Sequence, residues 1–382
     1  MDFRLTDEHR QLRDAIQRFA REELSPGARE RDREHRFDRE LFDKCGAMGL
    51  TGLPVEAEHG GAGLDGVSTA IALEALGYGC EDGGLVFSVC AHLLACVVPV
   101  WKHGSPELKA KFLPDMATGK LLAVNAMTET ETGSDAFAMR TRADRDGDYF
   151  VINGTKTFST NGPAADVALV YAVTDPGKGF HGGITAFVVP TTTPGFRPGQ
   201  RFEKMGLRSS PISELIFENV RVPASLVLGQ LGGGGNMFTQ SMDWERACLV
   251  AAHLGTMQRL LETAIEHARS RKQFGQAIGK YQTISHRIAD MRIRLEAAQL
   301  MTYRAAFELE RSRLGGLYAS MAKTFVSEAL VQSALDTVQI LGGNGFMAEY
   351  DVERVLRDSI GGKIYSGTNE MQRNTIARWL GL

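Results

Sequence analysis

Between residues 121 and 228 the chain carries short runs rich in Val, Ile, Phe and Tyr, with no helix-length pattern between them. "YFVINGTKTFST" (149–160), "VALVYAV" (167–173), "ITAFVVP" (184–190) and "ELIFENVRVP" (214–223) are punctuated by Gly, Pro, Asn and Asp. Such runs read as strands joined by turns. Parallel strands need a crossover, usually a helix, so a doubly wound sheet does not fit. The block predicts a small antiparallel β-domain, and the flanking segments must then build layers of their own. On one side, Leu5, Leu12, Ile16 and Phe19 recur at helical spacing, with Thr6 and Asp7 offering an N-cap. On the other, the linker "GQLGGGGNM" (229–237) hands over to apolar residues at Ile284, Ile288, Met291, Leu295, Ala298, Ala305 and Leu309. Steps of three and four are those of long helices in a bundle. The expected class is α+β: an N-terminal α-helical domain (1–120), a middle antiparallel β-domain (121–230) and a C-terminal four-helix bundle domain (231–382).

The 382 residues, 43% of them hydrophobic, suffice for more than one domain. A formal net charge of −3 with no basic block argues against a nucleic-acid partner. Five cysteines (Cys45, Cys80, Cys90, Cys96, Cys248) show no CxxC spacing and read as reduced and buried, which suits a cytoplasmic location. The N-terminal "MDFRLTDEHR" has no apolar signal core, and "LLACVVPVW" (93–101) is too short to span a bilayer, so no membrane partner is expected. No repeat or low-complexity tract interrupts the chain.

Several stretches invite chemistry, each with a plainer reading beside it. "GGNGFMA" (342–348) has the spacing of a dinucleotide loop, but a helical pattern precedes it where a strand is required. A helix C-cap, or backbone amides exposed to a cofactor, are the alternatives. The nine histidines form no HxxxH or HExxH pattern, no GxSxG occurs, and no metal site is expected. "TETETGSD" (128–135) is a hydroxyl-rich turn or a polar surface loop. "SRKQFG" (270–275) is a basic helix end or a phosphate contact through Arg271. In "SMDWERACLVAAHLG" (241–255), Asp243 and Glu245 complement a helix dipole, or stand against an apolar wall as a base of raised pKa. "GGKIYSGTNEMQR" (361–373) forms a turn at a helix mouth, with Thr368 or Asn369 as cap, yet Ser366 at its centre is a poor acid or base.

Taken in order, "TETETGSD", "GTKTFSTNG", "RKQFG", "QILGGNGF" and "IYSGTNEMQR" resemble the acyl-CoA dehydrogenase family of flavoproteins over essentially the whole chain. The resemblance implies an acyl-CoA dehydrogenase-like fold, FAD, and commonly a homotetramer. It places Met127 and Thr128 at the flavin ring, with Ser134 near flavin and substrate. Phe158, where many members have Trp, would pack on the flavin, and Thr160 would lie near its reactive edge. Thr368 and Glu370 would contact FAD from the C-terminal turn, and Gln282 joins the cofactor set. Arg271, Phe274, Gln339, Gly342 and Gly343 would reach the FAD of a neighbouring subunit.

The reaction implied removes an α-proton from an acyl thioester while a β-hydride leaves for the flavin. Its base must be a carboxylate in a dry pocket. Many members carry that Glu at the position of Ser366; a minority place it at the position of Glu245, just before an Arg. Glu245 is therefore the expected base, and Ser366 is expected to contribute its backbone N–H and its small size. Asp243, Arg246 and Gly367 are expected around the pocket or the substrate arm. "SMDWERACLVAAHLG" with "RDSIGGKIYSGTNEMQ" resembles the branch acting on carrier-protein-tethered groups, notably prolyl thioesters of secondary metabolism. An acyl carrier protein is thus the expected partner. The alternatives are a branched or unusual acyl-CoA in catabolism, a flavin monooxygenase or decarboxylating member, and a non-catalytic flavin- or acyl-binding scaffold. An electron-transfer flavoprotein or oxygen would accept the electrons.

Overall fold

The fold comes from a computed structural model that describes residues 4–382. Residues 1–3 of the stretch read above as lacking a signal core lie outside the described residues. The N-terminal region is helical from Asp7–Phe19 onward, and Thr6 caps that helix by accepting from the His9 amide.

Eight strands follow: β1 (Ala123–Ala126), β2 (Arg142–Asp146), β3 (Tyr149–Thr160), β4 (Val167–Val173), β5 (Ile184–Pro190), β6 (Phe196–Arg201), β7 (Ile212–Pro223) and β8 (Val227–Leu228). They form one sheet in the order β6-β7-β3-β2-β4-β5-β8, with β1 beside β4. Most pairings are antiparallel, as expected, but β1–β4 and the short β2–β4 contact are parallel. No crossover helix is needed because the β2–β3 hairpin carries the chain back between β1 and β4. Side chains from both faces of the sheet, Tyr171 on one and Phe187 on the other, join the N-terminal helices in one core.

The C-terminal region contains three long helices, Gly234–Ser270, Gln282–Glu308 and Gly315–Leu341, and three shorter ones, Gly343–Phe346, Val352–Gly361 and Asn369–Trp379. The first of these, hereafter the long helix, has 37 residues and extends about 55 Å. It begins inside the glycine run that reads as a linker. A Cβ on Gly234 would lie 2.9 Å from the Ile184 carbonyl, and one on Gly235 2.4 Å from the Phe180 ring, so the helix start is pressed onto the β-domain. Further along, Gly255 and Gly77 let the long helix and helix Gly66–Gly79 cross almost backbone to backbone. A Cβ there would lie 2.2 Å from the Glu74 carbonyl and 2.0 Å from the Ala252 carbonyl.

The five cysteines are buried and unpaired. The helical run Gly83–His103 has 21 residues, and its most apolar 18-residue window has a mean hydropathy of 2.1, long and apolar enough to cross a membrane; 83% of that window is buried within the protein, as in a core helix.

Candidate active site

The Tyr365–Thr368 turn sits on the flank of the long helix, and it supplies the contact that the sequence reading passed over. The Ser366 hydroxyl donates to Glu245 Oε1, across 121 positions of sequence. Both Ser366 (φ +57°) and Gly367 (φ +79°) are left-handed, which for serine is uncommon and costs energy. The surroundings hold it there. Arg246 Nε donates to the Ser366 carbonyl at 3.0 Å, and Gln372 Nε2 donates to the Ser366 and Gly367 carbonyls at 3.1 and 2.9 Å. Thr368, not Asn369, caps the final helix by accepting from the Met371 amide. Asn369 is fully buried and accepts from Lys323 Nζ at 2.8 Å.

Glu245 is 8% exposed. Burial pushes its carboxyl above the ordinary value, against the opposing pull of the Ser366 hydroxyl and the charges of Arg246 and Lys323. That is the electrostatic setting of a base working near neutrality. Asp243, two residues earlier, is pushed up to about 6 by burial against the weaker pull of Arg246, which lies 3.9 Å away. Lys323 is pulled down to about 7, mainly by burial and next by the charge of Arg246.

On the β-domain, a buried ion pair organises the loop that carries Ser134. Lys156 Nζ donates to Glu129 Oε1 at 2.9 Å and to the Met127 carbonyl at 3.0 Å. Glu129 in turn accepts from the Arg140 and Thr141 amides at 2.7 and 2.9 Å. Burial alone would raise Glu129, but the Lys156 charge and the two residues donating to it leave it below the usual carboxylate range. The pair clamps both ends of "TETETGSD", and the Thr157 amide donates to the Thr128 carbonyl, setting Thr128 beside Phe158. Neither Glu129 nor Lys156 was singled out from the sequence, although both lie in the quoted motifs.

A register shift in the β3–β7 ladder between Lys156 and Ser159 turns Phe158 outward. At φ +50° and 61% exposed, it is a large aromatic face presented from a rigid strand. Such a face beside Met127, Thr128 and Thr160 fits a planar ring system such as an isoalloxazine. Ser134 is exposed on the clamped loop. That loop reaches the long helix through rings, with Phe137 3.9 Å from Phe180 and 6.2 Å from Phe238 between centroids. Phe238 lies two turns, or about 10 Å, before Glu245 on the same helical face.

Behind the turn lies a cavity lined by Phe87, Cys90, Leu249, Ala252, His253 and Tyr365 among others. The Phe87 and Tyr365 rings stack at 4.6 Å, and the Tyr365 hydroxyl is 2.7 Å from His253 Nε2. Burial pulls His253 down to about 4, so the imidazole is neutral.

The remaining predicted cofactor residues are elsewhere. Arg271 and Phe274 occupy a short hairpin past the far end of the long helix, with Phe274 95% exposed. Arg271 stands 26 residues beyond Glu245, about 39 Å along the axis. Gln282 starts the next helix at that same end; Gln339, Gly342 and Gly343 end the third, and a Cβ on either glycine would meet only open space. Within one chain these six residues cannot share a ligand with Phe158 and Glu245. Glu370 is exposed on the first turn of the final helix. No group of three or more His, Cys, Asp or Glu able to hold a metal occurs among the described residues.

A buried, raised carboxylate, a strained turn locked beside it and an aromatic face held by a bulged strand are features that a flavin-dependent oxidoreductase could use. Residues 6–120, 125–220 and 232–381 match the N-terminal, middle and C-terminal domains of acyl-CoA dehydrogenase. The chain belongs to the acyl-CoA dehydrogenase family, whose members are FAD-dependent oxidoreductases. It is 42% identical over 382 residues to an L-prolyl-[peptidyl-carrier protein] dehydrogenase of Serratia sp. (strain ATCC 39006), covering 100% of this chain and 99% of the relative. The solved structure of PigA with FAD and proline superposes with a TM-score of 0.98 at 42% identity, covering 100% of both chains. The prolyl acyl carrier protein oxidase AnaB superposes with a TM-score of 0.97 at 42% identity, covering 99% of this chain and 100% of its own.

Proposed function

We propose that the protein oxidises a small acyl group, an L-prolyl thioester first among them, carried on the phosphopantetheine arm of a carrier protein. The observation that carries this reading is Glu245, buried on the long helix and hydrogen-bonded to the Ser366 turn. The likeness to prolyl-carrier-protein enzymes supports the substrate class.

In this reading the arm runs from the Phe137–Phe180–Phe238 cluster along the helix face toward Glu245, past Ser134, while Asp243, two residues from Glu245, lies on the other side of the helix. Glu245 Oε1 is occupied by Ser366, which leaves Oε2 to take the α-proton. The developing thioester oxyanion needs preorganised donors, and the backbone N–H of Ser366, fixed by Arg246 and Gln372, is aimed by a turn that cannot relax. Met127, Thr128, Phe158, Thr160 and Thr368 would hold FAD, which when bound supplies the acceptor for the β-hydride. Arg271, Phe274, Gln282, Gln339, Gly342 and Gly343 serve the FAD of a second copy, so the working unit is a homo-oligomer, a tetramer in the family's usual form. The carrier protein delivers the substrate, and an electron-transfer flavoprotein or oxygen removes the electrons.

Anaerobic titration tests this. Prolyl-carrier thioester is expected to bleach the flavin absorbance, and Glu245→Gln to abolish bleaching with FAD still bound. Bleaching by acyl-CoA alone would move the substrate to the catabolic alternative; full activity in Glu245→Gln would move the base elsewhere.

A further inference from the structure

We infer that the Ser366 side chain is a positioning residue for the base: its hydroxyl holds the Glu245 carboxylate ionised and aimed, in a place where a backbone amide alone would suffice for the oxyanion. The inference rests on the reading of Glu245 as the base.

Three observations carry it. The hydroxyl donates directly to Glu245 Oε1, and Glu245 is buried, so the bond is not exchanged freely with water. Ser366 occupies a left-handed conformation at φ +57° that glycine would adopt at less cost. A non-glycine residue retained at such a position has its side chain in use or its strain offset by contacts. The contacts at hand, from Arg246 and Gln372, go to the Ser366 carbonyl, which glycine would offer equally. Only the hydroxyl distinguishes serine there, and it points at the base.

The chemical consequence has a definite sign. A donor bonded to a carboxylate favours the ionised form and lowers its pKa, opposing the rise caused by burial and adding to the pull of the Arg246 and Lys323 charges; Cys90, Cys96, Tyr171 and Tyr365 also face Glu245, and burial pushes all four above their ordinary values. The base works ionised, so the rate of α-proton removal falls as pH drops through its pKa. Without the hydroxyl that acid limb moves to higher pH. On the alkaline side, where the carboxylate is ionised in either case, this part of the loss disappears. Fixing one oxygen also selects the rotamer that turns Oε2 to the substrate.

Two substitutions separate the hydroxyl from the backbone. Ser366→Ala removes the hydroxyl and keeps the strain of a Cβ at positive φ; Ser366→Gly removes both. The rate of anaerobic flavin bleaching by thioester substrate is measured across pH for the FAD-loaded parent and both variants. Both are expected to shift the acid limb upward, with a loss of about tenfold below the limb, the factor for about 1.4 kcal/mol of a hydrogen bond to a charged group. Above the limb the loss is smaller than below it, and what remains there reports on the aim of Oε2. If both variants keep the parent's acid limb, the inference fails. It fails equally if Ser366→Ala is slow at every pH while Ser366→Gly matches the parent, since serine then matters only through its backbone. Glu245→Gln is run alongside. An active Glu245→Gln would sink the base assignment and this inference with it; an inactive one with unshifted Ser366 variants would sink this inference alone.

Discussion

Two ionic residues show what a single side chain does for the site. Lys156 is fully buried and Glu129 nearly so, and the pair closes the loop bearing Ser134 onto β3. Removing one partner strands a buried charge, at a cost of about 3–5 kcal/mol. Lys156→Met is therefore expected to lower the unfolding midpoint and to shed FAD on desalting, read as a fall in flavin absorbance per protein. A variant that retains a full complement of FAD would show that the loop is held by other contacts. At this scale the sequence was partly legible. The helix pattern left Glu245 open between a dipole partner and a base, and only the family resemblance favoured the base; the Ser366 turn was legible because Gly, Thr and Asn cluster there. The bond between them was not, since a contact across 121 residues depends on how the long helix packs against the final turn. The Glu129–Lys156 pair was hidden for the same reason: it depends on the course of the loop between β1 and β2.

Elements set how much room the substrate has. The stacked rings of Phe87 and Tyr365, steadied by His253, stand between the Ser366 turn and the cavity that continues along the long helix past Leu249 and Ala252. In the proposed reading they floor the acyl site and favour a compact group. Phe87→Ala is expected to open that floor and raise kcat/KM for a longer straight-chain acyl thioester relative to the parent's best substrate by about tenfold, the scale of a few methylenes gaining space. An unchanged chain-length profile would place the floor elsewhere. The same scale shows where pattern reading stops. Helical periodicity and strand runs located the elements, but alternation along β3 could not foresee that a register shift turns Phe158 outward. Nor could composition show that the glycine run at 232–235 is partly helix, because its reason is close packing against Ile184 and Phe180.

At the scale of the whole molecule, the long helix separates Glu245 from Arg271 by about 39 Å, with Phe274 in the hairpin beyond. In the proposed oligomer each site draws on two subunits. Co-assembly of a Glu245→Gln subunit with an Arg271→Ala subunit is then expected to restore bleaching that neither variant gives alone, because the hybrid holds one complete site. Absence of recovery in a verified hybrid would argue that Arg271 acts within its own chain or at no flavin. The three-region plan was legible because the switch from helical to strand periodicity is a property of whole segments, averaged over many residues.

The apolar run Gly83–His103 is covered by β1 and by the long helix. Both are made after it, and the long helix begins about 130 residues after the run ends. At the usual pace of synthesis that interval is on the order of ten seconds. Throughout it the nascent chain displays a segment greasy enough to enter a bilayer, with the long helix that completes its cover not yet in existence. A chain cut short before Gly234 would keep that segment partly uncovered for good, so premature termination yields a sticky product, and the last third of the sequence protects the first.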